Sequence, residues 1–371
     1  MPSEVDVTAL SAQVVAAAFV LGLLFGALVH RTNFCTMGSV ADIVGFGDWT
    51  RMRMWALAAA VAILGTTGLA ALGLVDPAAS IYTTPRFTLL AYLFGGLLFG
   101  FGMVLAGGCA SKALVRCGAG SLKALVVVGV VGIVGYITLR GLLAVVRVRV
   151  IETVGVELAT SQDLPTLLAG AGGAGATIRL AVAAAVAIAL LVFVLRDREA
   201  LTGDVVLGGA GVGAVIVAVW FVSGHIGHVA EHPLTLEDAY LRTNSGRMEA
   251  LSFVSPVAYT LDYLMFFSDA SKTVTLGIAS ACGVVAGAMA HAVVTGQFRW
   301  QGFHDTEDTA NHLAGAALMG FGGVTAMGCT IGQGLSGVSV LALGSFITLA
   351  AIIAGAVAGL RYQSWRIERR G

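Results

Sequence analysis

Apolar residues run in blocks long enough to approach the ~30 Å hydrocarbon core of a bilayer. They cover residues 11–29, 54–74, 89–105, 122–145, 180–195, 205–222, 274–294, 313–327 and 338–360. The pattern predicts an all-α integral membrane protein of about nine transmembrane helices. Glu4 and Asp6 stand before the first block, where a cleavable signal carries positive charge, so that block is expected to stay in the mature chain.

The blocks are not independent. A shift of 220 residues lays Gly95–Cys109 on Gly315–Cys329, and nine of fifteen positions match, where composition alone gives roughly two. Weaker echoes pair Gly120-Ser121 with Gly344-Ser345, and Phe46 and Asp48 with Phe267 and Asp269. The matching blocks are the third and eighth. Five crossings separate them, an odd number, so the two copies run in opposite directions and the repeat is inverted. Residues 1–146 form the first repeat, 147–202 a loop and connector span, and 203–371 the second repeat. The stretches 147–179 and 223–270 are the long non-spanning segments. Inverted repeats place a transporter's substrate near the midplane where the halves meet.

Both matching blocks stop at a Gly-Cys pair, Gly108-Cys109 and Gly328-Cys329, each followed by a stretch too short to span, 110–117 and 330–337. Non-helical backbone at membrane depth is tolerated only where protein packs it or where it lines a cavity. The pieces after the breaks read as re-entrant half-helices whose N-terminal N–H groups attract an anion. Close helix packing by small residues is the plainer reading of these glycines, and the duplication weighs against it.

Composition fits this picture. Hydrophobic residues make up 57% and charged residues 11%, with mean hydropathy +0.90, too few charges to cover a soluble domain. Net charge is zero, so no nucleic-acid partner is expected. With an external N-terminus, thirteen of the 21 Lys and Arg fall on the cytoplasmic side, including the cluster at residues 361–370. That places the chain in the cell inner membrane with its C-terminus inside. No nucleotide-binding motif occurs and no cofactor is expected, so the driving force is the anion gradient or a coupling ion.

Five cysteines, Cys35, Cys109, Cys117, Cys282 and Cys329, follow neither a disulfide framework nor a C-x-x-C metal site. Cys117 and Cys282 read as apolar fillers. A thiol is a soft, polarizable, weak donor, poorly suited to phosphate or sulfate, so Cys109 and Cys329 at the two breaks point to a sulfur-containing anion. Cys35 lies just after the first span, and its loose counterpart falls near Ser255-Pro256. Thr330 and Gln333 are expected as pore-lining polar groups. Lys112 and Asp42 either sit at helix ends and the membrane surface, or respectively concentrate anion at the inner mouth and anchor the Cys35 loop.

Three stretches carry a family likeness: Asn33-Phe34-Cys35-Thr-Met-Gly38, Gly107-Gly-Cys109-Ala-Ser-Lys112, and Gly328-Cys-Thr-Ile-Gly-Gln-Gly-Leu335. They resemble the YeeE/YedE sulfur-transport family over nearly the whole chain. The resemblance implies uptake of thiosulfate, short re-entrant helices, and a relay of S–H···S contacts along Cys35, Cys109 and Cys329. It also implies a cytosolic sulfur-carrier protein as a partner. Persulfide or selenium species, or a membrane sulfurtransferase with a covalent cysteine persulfide, are the alternatives; the primary reading is a transporter and not an enzyme.

One rival motif, His228-Val-Ala-Glu231-His232, matches the H-x-x-E-H of some zinc peptidases. On a helix the two histidines would share a face. A third ligand is required, and His304-Asp305 and Glu307-Asp308 offer only unlocated candidates, so no metal is expected.

Overall fold

The computed structural model describes residues 6–170, 175–233 and 235–369. Glu4 and Arg370, counted above for their charge, lie outside these residues. Helix dominates the described chain, joined by irregular loops and two two-stranded ribbons, one pairing Arg86–Phe87 (β1) with Val156–Glu157 (β2) and the other His228–Val229 (β3) with Ala239–Tyr240 (β4).

Six elements open the chain: α1 (Val7–Thr32), α2 (Thr36–Phe46), α3 (Thr50–Ala71), α4 (Leu89–Leu105), α5 (Ala110–Gly118) and α6 (Leu122–Arg140). The short helices α7 (Leu142–Val146) and α8 (Leu164–Ala169) lead to α9 (Ala176–Leu195). The order long, short, long, long, short, long then recurs as α10 (Gly203–Phe221), α11 (Val254–Met265), α12 (Leu276–Val294), α13 (Thr306–Thr325), a π-helical turn at Gly332–Gly337, and α14 (Leu343–Glu368).

Eight of the described helical segments are long and apolar enough to cross a membrane. Helix α13 has the length but opens on Thr306-Glu307-Asp308-Thr309, which keeps it below that apolarity. Those charges are satisfied by neighbours: Arg366 of α14 pairs with Glu307 at 2.8 Å, and Lys123 of α6 with Asp308 at 3.2 Å.

Packing links the two stretches rather than filling each separately. Helix α1 lies on α12 as α10 lies on α3, and α4 lies on α14 as α13 lies on α6. At the centre α4 crosses α13. A Cβ at Gly95 would stand 2.8 Å from the Gly322 carbonyl oxygen, and one at Gly102 2.7 Å from that of Gly315. The early part of one helix therefore meets the late part of the other, so the two run antiparallel. The four glycines are related by the same 220-residue shift. Lipid tails supply no hydrophobic drive between helices, so association rests on close van der Waals contact, which small residues permit. Bulky side chains turn outward instead, as at Leu93, Leu97, Ile133 and Ile188, all exposed.

Substitutions separate these roles. Gly26→Leu is expected to prevent folding, because even a Cβ there would sit 2.1 Å from the Val284 carbonyl oxygen of α12. Gly129→Leu, with nothing within 4 Å, is expected to leave the protein folded. Size-exclusion profiles and melting curves of the detergent-purified variants measure the difference.

Candidate functional site

Four short helical elements begin after breaks in the chain, and their starts converge. Helix α4 ends in a reversal where Gly107 (φ +67°) and Gly108 close backward: Gly108 N–H donates to the Met103 carbonyl at 2.8 Å. Helix α13 ends the same way, with Gly328 N–H donating to Gly323 at 2.8 Å. The C-terminal carbonyls are thereby satisfied inside an apolar surrounding. Where the first half has Gly107, the second has Met327, held at φ +59°. A left-handed backbone costs a non-glycine residue roughly 1–2 kcal/mol.

Helix restarts at once. Cys109 is the N-cap of α5, and the helix's first turn, with the Lys112 backbone N–H, faces its thiol. Cys329 heads the turn that leads to Gly332–Gly337, and its sulfur accepts from Gly332 N–H at 3.5 Å. Cys35 is the N-cap of α2, its sulfur accepting from Gly38 N–H at 3.4 Å. The segment after the first span is thus a helix rather than a loop. The fourth start, α11, has Phe253 at its N-cap. The position answering Cys35 is therefore Phe253, just before the Ser255-Pro256 pair expected from sequence.

The three thiols are buried and adjoin one another. Cys35 and Cys109 interact through their side chains, Cys109 faces the Thr330 hydroxyl and Ser111 Oγ (3.2 Å), and Cys329 lies beside Cys109 and the Phe253 backbone. The Thr330 hydroxyl, although it faces Cys109, makes no hydrogen bond of ordinary length, and neither does that of Thr36 next to Cys35. Trp55 Nε1, on the indole packed over Gly334, is a third buried donor without a partner. An unpaired buried polar group costs about 1–3 kcal/mol. Thr330 and Thr36 lie beside thiols, so hydroxyls not committed to holding the fold adjoin Cys109 and Cys35. Neither Thr36 nor Trp55 was legible as a site residue, although the Cys-Thr pair occurs twice, at Cys35-Thr36 and Cys329-Thr330.

Gln333 behaves differently from the expected pore-lining group. Its amide nitrogen donates to the Ala326 carbonyl at 2.6 Å, and its amide oxygen accepts from Ser345 Oγ at 2.5 Å. It braces the broken end of α13 against α14. Asp42 lies within α2 and takes a two-point grip on Arg51, at 2.5 and 2.9 Å. The Arg51 guanidinium passes over Gly38, where a Cβ would meet it at 2.3 Å, and so stands beside the first turn of α2.

Cavities open at both ends. One of about 310 Å³ is lined by His30, Asn33, Lys112, Arg116, Gln297 and Gln301. Lys112 Nζ donates to Asn33 Oδ1 at 3.1 Å, and Arg116 to the Gly107 carbonyl at 3.1 Å. Among the described residues neither cation forms an ion pair, and no carboxylate lines this cavity. The other, of about 210 Å³, is lined by residues including Tyr82, Arg147, Glu249, Ser252, Tyr259 and Met327. There Arg147 is neutralised by Glu152. Glu249 accepts from Ser245 N–H at 2.8 Å and Asn244 N–H at 3.1 Å, while burial pushes its carboxyl above the usual range. Ser121, before α6, touches the first cavity and Leu139, near its end, the second. Gly277 and Gln297 bracket α12 in the same way. The cavities therefore lie at opposite ends of the same helices.

Residues 31–358 match the family described as sulphur transport. The chain belongs to that family. It is 25% identical over 343 residues to the thiosulfate transporter TsuA of Escherichia coli K12, covering 91% of this chain and 92% of the relative. To the thiosulfate transporter TsuA of Spirochaeta thermophila it is 30% identical over 122 residues, 33% of this chain and 35% of the relative. A family membrane transporter accounts for the apolar surface, the broken helices and the cavities together.

The zinc-peptidase motif does not assemble. His228 is in a short strand, bonded to Asp238 at 2.7 Å and stacked on Tyr240, so the shared helical face that His228 and His232 require is not formed. Among the described residues no group of three His, Cys, Asp or Glu side chains is placed to hold a metal.

Two substitutions follow from this geometry. Thr330→Val, nearly isosteric, removes an unpaired hydroxyl and is expected to raise thermal stability slightly while lowering sulfur-anion flux. Met327→Gly relieves the left-handed backbone and is expected to stabilise by about 1 kcal/mol. Melting curves of the purified variants, with flux measured in parallel for Thr330→Val, check both.

Proposed function

We propose that this protein carries a small sulfur anion, thiosulfate first among them, across the cell inner membrane, past Cys329, Cys109 and Cys35 in turn. One observation carries the reading: three buried thiols adjoin where the short helices start, between cavities at opposite ends of α6 and α12. The relatives named as thiosulfate transporters support the substrate.

The path divides its tasks. Thiosulfate has a soft terminal sulfur and a hard, charged oxyanion end. Thiols offer the first a polarizable weak donor, and Thr330 and the N-terminal turn of α5 offer the second hydrogen bonds without a full charge. Weak partners allow the anion to leave as well as bind. Gly108 and Gly328 let the backbone turn beside the path, and Gln333 holds the second turn in place.

Residues 1–146 and 203–371 act as inverted repeats of four spans each around the connector α9, giving nine crossings with α13 included. The recurring element order, the exchanged packing partners and the antiparallel glycine crossing of α4 and α13 support this. The Lys112 cavity then faces the cytoplasm with Arg31, Arg51 and the Arg361–Arg366 segment, and the N-terminus lies outside, in keeping with the positive-inside bias. Entering anion passes from a mouth holding a carboxylate, Glu249, to one holding uncompensated cations.

Liposomes bearing the purified protein test the reading. Thiosulfate flux is expected to exceed sulfate flux at least tenfold, and Cys109→Ala or Cys329→Ala to lower it by an order of magnitude or more. Equal sulfate and thiosulfate flux, or normal flux in both variants, would overturn it.

A further inference from the structure

His30 near the end of α1 and His291 near the end of α12 face each other with Nδ1···Nδ1 at 2.9 Å and ring centroids 5.0 Å apart. His30 lines the Lys112 cavity. Two imidazoles this close need one N–H donor and one lone pair between them, which the neutral pair already has; a further proton enters at a free Nε2, and a second is resisted because it would set two donors head to head. It is thus a group of charge 0 or +1 in the pH range where histidine titrates.

The cations facing it are Lys112 and Arg116 on α5. Arg31 at the same end of α1 is turned toward Asp204 of α10, at 3.7 Å, and Arg51 of α3 stands near Lys112 but is held by Asp42. Nothing among the residues lining the cavity supplies a balancing negative charge. Asn33, Gln297 and Gln301 add neutral side-chain amides, and none of the lining groups is a thiol.

We infer that the Lys112 cavity is a separate binding station for small divalent oxyanions, recognising charge rather than sulfur, with a hold tightened when the His30–His291 pair takes up one further proton. Selection for soft sulfur then belongs to the thiols alone, and sulfate occupies this station even though the thiols do not pass it on. Its role as the release station rests on the transport path proposed above; its binding does not. Protonation adds one positive charge at close range, so binding strengthens as pH falls and weakens as it rises through the titration of the pair.

The test is equilibrium binding of radiolabelled sulfate to the full-length protein in nanodiscs. Wild type is expected to bind about three- to tenfold more tightly at pH 6 than at pH 8, the scale of one partly screened charge. In His30→Gln, and separately in His291→Gln, affinity at pH 6 is expected to fall toward the pH 8 value. Lys112→Gln is expected to weaken binding at both. Melting curves establish which variants are folded, and two histidine variants guard against one that is not. No sulfate binding by wild type, or an unchanged pH ratio in a folded histidine variant, would overturn the inference. Thiosulfate flux compared between wild type and Cys109→Ala reads the transport proposal independently, so either can fail alone.

Discussion

A polypeptide in hydrocarbon cannot leave its N–H and C=O groups unpaired, and this constraint governs how the chain is interrupted. Where α4 and α13 stop, the last carbonyls are taken by the turning backbone at Gly108 and Gly328, and a new helical element starts at Ala110 in the first case and at Gly332 in the second. At Cys35 and Cys329 the sulfur itself accepts a backbone N–H. Cys109 caps α5 without an N-cap bond of ordinary length, and its thiol lies 3.2 Å from Ser111 Oγ. The groups that close the breaks therefore lie within a few residues of the buried thiols.

The same economy decides which polar residues are structural. Gln333 and Ser345 spend their hydrogen bonds on bracing the second break, whereas Thr330, Thr36 and Trp55 remain buried without partners. Polarity in a motif therefore does not by itself show that a side chain's hydrogen-bonding groups are free.

Helix contact also sets where the thiols lie. Gly95, Gly102, Gly315 and Gly322 bring α4 and α13 to backbone contact, and that closeness delivers Cys109 and Cys329 side by side. The second copy does not reproduce the first atom for atom. Met327 takes the left-handed conformation that Gly107 takes without strain, and Phe253 stands where the first half has Cys35. Three thiols rather than four line the proposed path.

The blocks of apolar residues were enough to locate nine long helices, and the 220-residue self-match located both breaks, because hydrophobic length and glycine placement act locally. Repeated Gly-Cys pairs marked Cys109 and Cys329 for the same reason. Other features depended on partners distant in sequence. Helices α2 and α11 are too short for a span pattern to reveal, and H-x-x-E-H fails because His228 pairs across a ribbon with Tyr240 rather than along a helix. His30 and His291, 261 residues apart, become one group only when α1 packs on α12. Hydropathy and motif record what each segment can be; which thiols touch, which hydroxyls stay free and which cations stay unpaired are set by contacts between segments, and those exist only in the folded bundle.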